Sequence, residues 1–397
     1  MIQDHFDVES WEQVAFGKVV LNKNENTSNP SLEGLSRVVG LDHMDSESLP
    51  LVRWSELGDL PDGTTFTRRF HAGQVLFGKR RSYQKKVSFP DFDGVCSGDI
   101  LVFESLDSKR LLPGFLPLLV QSDPFMDFAI STSAGSLSPR TKWSDLSKFE
   151  FFLPSLKNQE EIVEVISAID MTIESYQNMS LYSYRESIVH ELLSSSDAKA
   201  TQTTLGEIGI AGMFTDGDWV ESKDQDPLGE FRLLQLADIG DGVFLDKSNR
   251  WMNMEQFNRL RCTSLKAQDI LIARMPDPIA RACILPSGLP TCATVVDVAI
   301  LRCSEGYVPE FVLLVINDST FRAEAESLLA GTTRQRISRS NLAKIDFSVP
   351  SLAEQKRVVE IVSSVDAVVQ STEQAIADAK ALRRSILGEV FKDHNRA

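Results

Sequence analysis

One phrase occurs twice in this chain, and the repetition constrains the fold more than any other feature. Positions 153–170 read LPSLKNQEEIVEVISAID and positions 349–366 read VPSLAEQKRVVEIVSSVD, so that a shift of 196 residues gives eight identities in eighteen positions. The same shift aligns further identical residues upstream, which are Pro113 with Pro309, Phe115 with Phe311, Phe125 with Phe321, Gly135 with Gly331, Leu146 with Leu342, Lys148 with Lys344 and Phe151 with Phe347. This pattern indicates a duplicated unit in which a globular part precedes a helical part. Because a solenoid needs about three repeats, two copies favour a pseudo-twofold molecule.

The helical parts carry apolar residues that alternate three and four positions apart, as in a helix seam. In the first copy these are Ile162, Ile166, Ile169, Ile173, Tyr176, Leu181, Tyr184, Ile188 and Leu192, and in the second they are Val358, Val362, Val365, Val369, Ile376, Ala379, Leu382, Ile386 and Val390. The pattern predicts helices over 157–193 and 353–391, each about 55 Å or slightly more in length. Ser351 and Glu354 fit a capping box, whereas Asn158 replaces the Glu in the first copy and predicts a weaker cap.

A narrow apolar stripe cannot bury itself on an isolated helix, so the two long helices are predicted to pack together as an antiparallel coiled coil. The alternative is two separate helical hairpins, each folded against its own globular part. In either case the predicted division of the chain is a globular part over 1–152, a helix over 153–200, a second globular part over 201–348 and a helix over 349–397.

The globular parts show short β-like runs broken by Gly, Pro, Asp and Asn, which predicts an α+β fold with irregular sheets. The runs are QVLFGK, KKVSF, DILVFE and FLPLLV in the first part, and FRLLQL, DILIAR and VVDVAIL in the second. Two longer segments have a helical apolar period, namely FLPLLVQSDPFMDFAI and FVLLVINDSTFRAEAESLLAG. FLPLLV therefore fits both a strand and a helix.

The net charge of −15 argues against indiscriminate nucleic-acid binding, because neutralising phosphates drives that contact. The charge is unevenly distributed, however, since the segment 64–90 contains no Asp or Glu. Its GKRRSYQKK stretch interleaves cations with side chains that can bind phosphates or read base edges. The predicted DNA-binding residues there are Lys79, Arg80, Arg81, Ser82, Tyr83, Gln84, Lys85 and Lys86. A solvated charged hairpin is the alternative interpretation.

A second basic stretch occurs at corresponding places in the two copies. GTTRQRISRS (331–340) lies in an acid-free window, and GSLSPRTKWS (135–144) is Ser-rich and basic at the matching position. Gly and hydroxyl residues allow the backbone to approach phosphate closely. The candidate residues are Arg140 and Lys142 in the first copy, and Thr332, Thr333, Arg334, Arg336 and Arg339 in the second.

The sequence contains none of the usual catalytic patterns. GxGxxG, GxxxxGK[ST], HExxH, GxSxG and the [DN]PP[YF] element of amino-methyltransferases are absent, the five cysteines have no CxxC spacing and the five histidines are scattered. We therefore predict no catalytic residues, no metal site and no cofactor for this chain. Pro90 and Asp91 followed by Asp107 and Lys109 leave a PD…DxK nuclease as a minor alternative. Without a long apolar run or an export signal, a cytoplasmic location is expected.

The duplicated architecture and its motifs resemble the specificity subunits of type I restriction-modification systems. VPSLAEQ (349–355) is similar to the phrase PLPPLxEQ that opens the family's helices, and AQDILIAR and AGTTRQR are similar to its GDIL-like strand and its basic Gly-Thr-Arg turn. AGQVLFGK is the first copy's counterpart of that strand. The first copy departs from the family pattern in LPSLKNQ, which lacks the Glu, and in GSLSPR, which replaces the Thr-Arg turn.

The resemblance implies a non-catalytic subunit with two target-recognition domains that read the halves of a split, asymmetric DNA target, while the two helices set the gap between them. It adds Arg274, in AQDILIAR, to the candidate DNA contacts. It also implies partners. These are two methyltransferase subunits that use S-adenosylmethionine for adenine-N6 methylation, and restriction subunits with a motor and a nuclease that use ATP and Mg²⁺. Long stiff helices suit sites one DNA turn apart, about 34 Å. A coiled-coil scaffold that binds only proteins is the competing hypothesis.

Overall fold

The protein combines small β-sheets with helices in a computed structural model that describes residues 10–60, 64–178, 181–194, 200–209, 212–331 and 335–392. Its contacts divide the chain into two compact units. Unit 1 comprises Met1–Met179 and Glu373–Ala397, and unit 2 comprises Ser180–Thr372. The expected mixture of helix and sheet is confirmed, and the predicted division at 152, 200 and 348 stays a prediction. Among the described helices, none has the length and apolar character that a bilayer crossing requires.

Unit 1 contains two four-stranded sheets and one two-stranded pair. Its strands are β1 (Glu12–Ala15), β2 (Val20–Lys23), β3 (Arg37–Val39), β4 (Ser55–Glu56), β5 (Arg68–Phe70), β6 (Val75–Gly78), β7 (Val87–Ser88), β8 (Gly94–Cys96), β9 (Ile100–Ser105) and β10 (Glu150–Leu153). The sheet orders are β2-β9-β6-β7, β4-β3-β8-β5 and β1-β10. Its helices are α1 (Leu116–Gln121), α2 (Asp123–Ser131), α3 (Trp143–Leu146) and α4 (Leu156–Asn178).

The core of unit 1 is rich in phenylalanine. Phe16, Phe77 and Phe103 are fully buried between the sheet and the helices, and the ring centroids of Phe77 and Phe103 lie 5.7 Å apart. Each fully buried side chain of this size contributes roughly 1.5–3 kcal/mol to folding. At the C-terminal end of the chain, Phe391 joins this core, with its ring centroid 5.4 Å from that of Phe115.

Unit 2 contains a four-stranded sheet, a three-stranded sheet and a two-stranded pair. Its strands are β11 (Thr201–Thr204), β12 (Met213–Asp216), β13 (Phe231–Leu234), β14 (Trp251–Met252), β15 (Ile270–Ala273), β16 (Ala282–Ile284), β17 (Cys292–Thr294), β18 (Val298–Arg302) and β19 (Asp346–Val349). The sheet orders are β12-β18-β15-β16, β14-β13-β17 and β11-β19. Its helices are α5 (Leu181–Ser194), α6 (Leu205–Ile208), α7 (Met254–Leu260), α8 (Pro309–Asn317), α9 (Ser319–Ser327) and α10 (Arg339–Leu342), and α11 (Leu352–Val390) begins in this unit.

Most of the predicted strands and helices are present, and one predicted strand is a helix instead. QVLFGK contains β6, DILIAR contains β15, and DILVFE covers β9 except for its last residue, Ser105; both segments with a helical period form helix pairs. The strand interpretation of FLPLLV is wrong, because this stretch lies mostly in α1. Its residues Leu116, Leu118, Leu119 and Val120 are all buried. A short helix that is buried on all sides has no polar face, so its composition is the same as that of a buried strand.

The long helices also follow the prediction, with a change in which residues face inward. The first predicted helix corresponds to α4 and α5, and residues 179–180 between them lie outside the described part of the chain; the second corresponds to α11. Tyr184 and Leu382, predicted in the apolar stripe, are 63% and 51% exposed, while Val189 and Leu387 are buried instead. A helix with 3.6 residues per turn drifts away from a strict 3.5-residue seam, and this drift accounts for the change.

A buried glutamine has the same structural role in both copies of the repeated motif that includes Pro154 and Pro350. Gln159 is fully buried; its Oε1 accepts from the Leu112 backbone N–H at 2.8 Å. Its Nε2 donates to the carbonyls of Arg110 at 3.0 Å and Pro154 at 2.8 Å. The side chain therefore ties the first turn of α4 to the segment after β9.

Gln355 makes the same set of contacts in unit 2. It is 1% exposed, its Oε1 accepts from the Val308 N–H at 2.9 Å, and its Nε2 donates to the carbonyls of Gly306 at 3.2 Å and Pro350 at 3.0 Å. We call Gln159 and Gln355 the clamp glutamines. Because each satisfies one backbone donor and two backbone acceptors, the globular part and the start of the long helix are held in one arrangement.

Candidate nucleic-acid interface

The basic loop between β6 and β7 is a tight turn supported by the second basic stretch of unit 1. Arg81 and Lys85 have left-handed backbone conformations on either side of a 3-10 helix at Ser82–Gln84. The Arg81 N–H donates to the Pro139 carbonyl at 2.8 Å, and the Thr141 N–H donates to the Lys79 carbonyl at 3.0 Å. The two stretches that the sequence singled out in unit 1 are therefore neighbours.

Asp99 is the carboxylate around which the cations of these two stretches gather. Arg140 donates from Nε to Asp99 Oδ1 at 2.8 Å and from Nη2 to Oδ2 at 3.2 Å, and the Arg80 guanidinium lies 3.7 Å from the same carboxylate. The hydrogen bond from Arg140 holds the pKa of Asp99 below its usual range. Burial lowers the pKa of Lys79, and the nearby charges of Arg68 and Arg140 lower it further.

We define the Asp99 cluster as Asp99 and the basic residues near it, which are Arg68, Lys79, Arg80 and Arg140. Arg68 donates to the Ile100 carbonyl at 2.8 Å and to Asn24 at 3.0 Å. Lys79, Arg80 and Arg140 therefore face one carboxylate, and Arg68 lies close enough to Lys79 for its charge to lower the pKa of that lysine. Such an excess of positive charge suits a phosphate group, which supplies the negative charge that the protein lacks there.

The other predicted residues of this loop have different surroundings. Lys85 Nζ lies 2.6 Å from Asp123 and 3.7 Å from Glu47, and Lys86 Nζ donates to the Leu41 carbonyl at 2.5 Å. Ser82 is buried, whereas Tyr83 is 56% exposed. Gln84 is half-buried and Lys142 is exposed. The loop thus presents Tyr83 to solvent while two of its lysines are engaged with the rest of unit 1.

In unit 2 the predicted arginines lie together around two carboxylates. Arg274 is 7% exposed; it forms an ion pair with Asp216 and donates to the Ile337 carbonyl at 3.1 Å. Arg339 shares Asp216, with its Nε 3.3 Å from Oδ2. Arg336 forms an ion pair with Asp297. The predicted contacts Thr332, Thr333 and Arg334 lie outside the described residues.

The backbone around the two sets of cations is arranged alike. In unit 1 the Lys79 N–H donates to the Asp99 carbonyl at 3.0 Å; in unit 2 the Arg274 N–H donates to the Asp297 carbonyl at 2.9 Å, and the Ile337 N–H donates to the Arg274 carbonyl at 3.0 Å. The two carboxylates were not predicted, because the search was for windows without Asp or Glu, and Asp99 and Asp297 lie outside those windows. The available signal was position, because Asp99 and Asp297 both stand just before buried strands.

The residues of the nuclease alternative show a structural role. The Asp107 carboxylate accepts from the Lys109 backbone N–H at 2.9 Å, a contact typical of a turn. Asp91 is exposed. Within the described ranges, no group of three or more His, Cys, Asp or Glu side chains could hold a metal ion.

The sequence matches a known family model in two segments. Residues 53–180 and 306–381 match the model described as "Type I restriction modification DNA specificity domain". A curated relative, the "Type I restriction enzyme EcoDI specificity subunit" of Escherichia coli, is 32% identical over 126 residues, which are 31% of this chain. The chain spans only 28% of that relative's length in this alignment.

Solved structures are similar in fold over nearly the whole chain. A chain from a study of "complex assembly and conformational transition of the type I R-M system" superposes with a TM-score of 0.64 at 20% identity, covering 96% of this chain and 97% of that one. The HsdS subunit from Thermoanaerobacter tengcongensis gives 0.53 at 20% identity, covering 96% of both chains. The type I S subunit from M. genitalium gives 0.54 at 16% identity, covering 97% and 96%.

Proposed function

Because the chain belongs to the family of type I restriction-modification DNA specificity domains, we propose that it is the subunit that selects the DNA sequence for a type I restriction-modification complex. The observation that carries this proposal is the recurrence of one arrangement in both units. In each, a basic turn is bound to a carboxylate next to a buried strand, through Arg140 and Asp99 in unit 1 and through Arg336 and Asp297 in unit 2. Each unit reads one half of a bipartite, asymmetric target.

The proposed organisation keeps the division made from the sequence. Two target-recognition domains, over 1–152 and 201–348, alternate with two helical spacers, over 153–200 and 349–397. The matching strand orders β2-β9-β6-β7 and β12-β18-β15-β16 support an origin by duplication. A rigid spacer is required because two half-sites on one face of B-DNA must be held about one helical turn apart.

The proposed spacer is an antiparallel coiled coil of the first long helix, α4 and α5, with α11. Two ion pairs support it, one inside each unit. Arg383 of α11 pairs with Asp170 of α4 within unit 1, and Asp366 of α11 pairs with Arg185 of α5 within unit 2. Advancing along the first helix corresponds to moving backwards along α11, as an antiparallel arrangement requires.

Catalysis is assigned to partner subunits. Methyltransferase subunits, two in the simplest pseudo-twofold assembly, dock on the helices and flip an adenine from each half-site for N6 methylation with S-adenosylmethionine. Restriction subunits with a motor and a nuclease use ATP and Mg²⁺ and cut unmodified DNA. This chain supplies the choice of sequence and binds no cofactor of its own.

The test is to express the full chain with its proposed methyltransferase partner and to map methylated adenines by sequencing. The expected result is a split motif with a fixed gap. Arg140→Ala should weaken methylation of sites through one half of the motif, whereas the control Lys157→Ala, an exposed residue on α4, should leave the motif unchanged. Methylation with no split motif, or DNA binding that is absent or insensitive to salt, would contradict the proposal and favour a protein-binding scaffold.

A further inference from the structure

Arg37, on β3 of unit 1, is a cation that packs against two aromatic rings. Its guanidinium carbon lies 4.5 Å from the ring centroid of Trp54 and 4.3 Å from that of Phe92. Within the described part of the chain, no carboxylate lies within ion-pair distance of this guanidinium and no acceptor takes a hydrogen bond from it. Its charge is therefore stabilised by aromatic faces, which leave its planar set of N–H donors available.

The two rings form a corner against which one side of the guanidinium rests. The centroids of Trp54 and Phe92 are 5.0 Å apart, with 58° between the ring planes. Phe92 is buried in the core of unit 1, and the Trp54 Nε1 donates to Glu56 at 2.8 Å, which fixes the indole. Because both rings are anchored, the orientation of the guanidinium is restricted before any ligand binds.

Strand register places Arg37 on the same face of its sheet as a member of the Asp99 cluster. Cys96 pairs with Val39 of β3 and with Arg68 of β5, so these three residues form one row across the sheet. Arg37 stands two positions from Val39, and residues two apart on a strand point to the same face. Arg68 and Arg37 therefore share a face, at different rows.

The corresponding arginine of unit 2 has its charge neutralised inside the protein. Ser97 N–H donates to the carbonyl of Val39, two residues after Arg37, and Val295 N–H donates to the carbonyl of Leu234, two residues after Arg232. Arg232 is 8% exposed, forms an ion pair with Asp246 and donates to the Ser248 carbonyl at 2.8 Å. The same strand position thus carries an available guanidinium in unit 1 and an occupied one in unit 2.

We infer that Arg37 is a specificity-determining residue of unit 1, whose guanidinium donates two hydrogen bonds to a guanine in the half-site that this unit reads. The inference rests on the proposed function. A planar, fixed fork of donors matches the O6 and N7 acceptors of guanine in the major groove, and no other base offers that pair. The Asp99 cluster, with its excess of positive charge, contacts the phosphate backbone nearby and sets the register of the duplex.

The test compares two variants of the full chain, Arg37→Lys and Arg232→Lys, each co-expressed with the methyltransferase partner. Adenine methylation is mapped across the genome and is also measured on duplexes that carry single-base changes in each half-site. Arg37→Lys keeps the charge and removes the planar fork. It should lower methylation of the preferred duplex roughly 5- to 150-fold, the range for losing one bidentate base contact, and relax the preference at one G·C position. Arg232→Lys should leave the base preferences of both half-sites unchanged.

Trp54→Leu provides a second variant that keeps Arg37 and removes one of its supports. It should reduce the preference for the same G·C pair to a smaller extent, with a melting temperature that shows the chain is folded. An unchanged motif in folded Arg37→Lys, or a loss of methylation that is equal for all sequences, would overturn the assignment to a base. A wild-type complex that yields no split motif would instead refute the proposed function, so the two failures are distinguishable.

Discussion

Arg383 Nε donates to Asp170 Oδ1 at 2.6 Å inside unit 1, joining the C-terminal part of α11 to α4. The Arg383 side chain is 15% exposed, and its Nη2 also donates to Gln121 Oε1 at 2.8 Å. Three elements of unit 1, namely α1, α4 and α11, therefore meet at one guanidinium. Among the described residues, Asp170 is the carboxylate that pairs with this guanidinium, and this charge-assisted contact links α11 to α4.

Arg383→Met should destabilise unit 1 by about 1.5–3 kcal/mol, the range for hydrogen bonds to charged groups. The same change leaves Asp170 without its cation. Arg383→Met should therefore lower the free energy of unfolding more in the wild-type chain than in a chain that already carries Asp170→Asn. Urea unfolding of the four proteins measures the coupling. As a control, Arg357→Met breaks an exposed pair with Glu354 on the same helix and should cost at most about 1 kcal/mol. Additive effects of Arg383→Met and Asp170→Asn would show that the pair does not stabilise the helix contact.

The clamp glutamines are expected to act as buried structural residues. Gln159→Leu removes the acceptor for the Leu112 N–H and the donor to two carbonyls. Leaving a buried backbone group without a partner costs about 1–3 kcal/mol, and we expect about 3 kcal/mol for this change. Gln355→Leu should have a similar effect in unit 2. Thermal and urea unfolding of the full chain give the measurement.

Gln370→Leu is the matched control for the clamp variants, because Gln370 is an exposed residue of α11. Its effect should stay within about 0.5 kcal/mol, as for most surface changes. If Gln159→Leu lowered the free energy of unfolding no more than Gln370→Leu does, the contacts of Gln159 would not stabilise the start of α4. A destabilised Gln355→Leu with an unaltered Gln159→Leu would restrict the role to unit 2.

The repeated phrase allowed much of the fold to be predicted, while the reason for the repetition was not visible in it. The period of the apolar residues predicted the long helices, and most of the β-like runs are strands. The role of Gln159 depends on the carbonyl of Arg110 and the N–H of Leu112, which are distant in sequence. A backbone partner leaves no trace in residue type, so the clamp could not be inferred from composition or spacing.

The candidate site was predictable only in part, for a related reason. Charge runs located Lys79, Arg80 and Arg140, but whether a cation is available depends on which carboxylate lies next to it in space. Arg37 illustrates the converse, because its two aromatic neighbours come from different loops and its surroundings in the sequence are not basic. Local sequence therefore indicates where charges are, and the fold decides which of them a ligand can use.

Arg274 is expected to contribute to stability more than to the choice of bases. It is buried, with its guanidinium bound to Asp216 and to the carbonyls of Val296 and Ile337. Arg274→Met leaves Asp216 with Arg339 as its other cation, so we expect a loss of about 1–3 kcal/mol, as for a buried group with incomplete hydrogen bonding. Its contact with DNA, which the family resemblance implied, stays a prediction. Unfolding and methylome mapping of this variant separate the roles: an unchanged stability with an altered motif would identify Arg274 as a base-reading residue.

Lys79 should make DNA binding sensitive to alkaline pH. Burial and the charges of Arg68 and Arg140 lower the pKa of its ammonium group. A phosphate placed at the Asp99 cluster favours the protonated form and raises this pKa in the complex. The contribution of Lys79 to DNA binding is therefore complete at pH values below the pKa of Lys79 in the free protein. It falls as the pH rises from that pKa to the higher pKa of Lys79 in the complex, and it is lost above the higher value.

Fluorescence anisotropy of the assembled complex with its methylated-motif duplex, measured from pH 7 to pH 10 at fixed salt, tests this linkage. Lys79→Arg keeps a cation whose guanidinium stays protonated across this range, so its affinity should decline less than that of the wild type. The salt dependence at pH 7 should be the same for both proteins, because the number of cations facing the DNA is unchanged. Parallel pH profiles for the wild type and Lys79→Arg would exclude Lys79 from the phosphate contact and leave Arg80 and Arg140 as the cations of the cluster that bind the backbone.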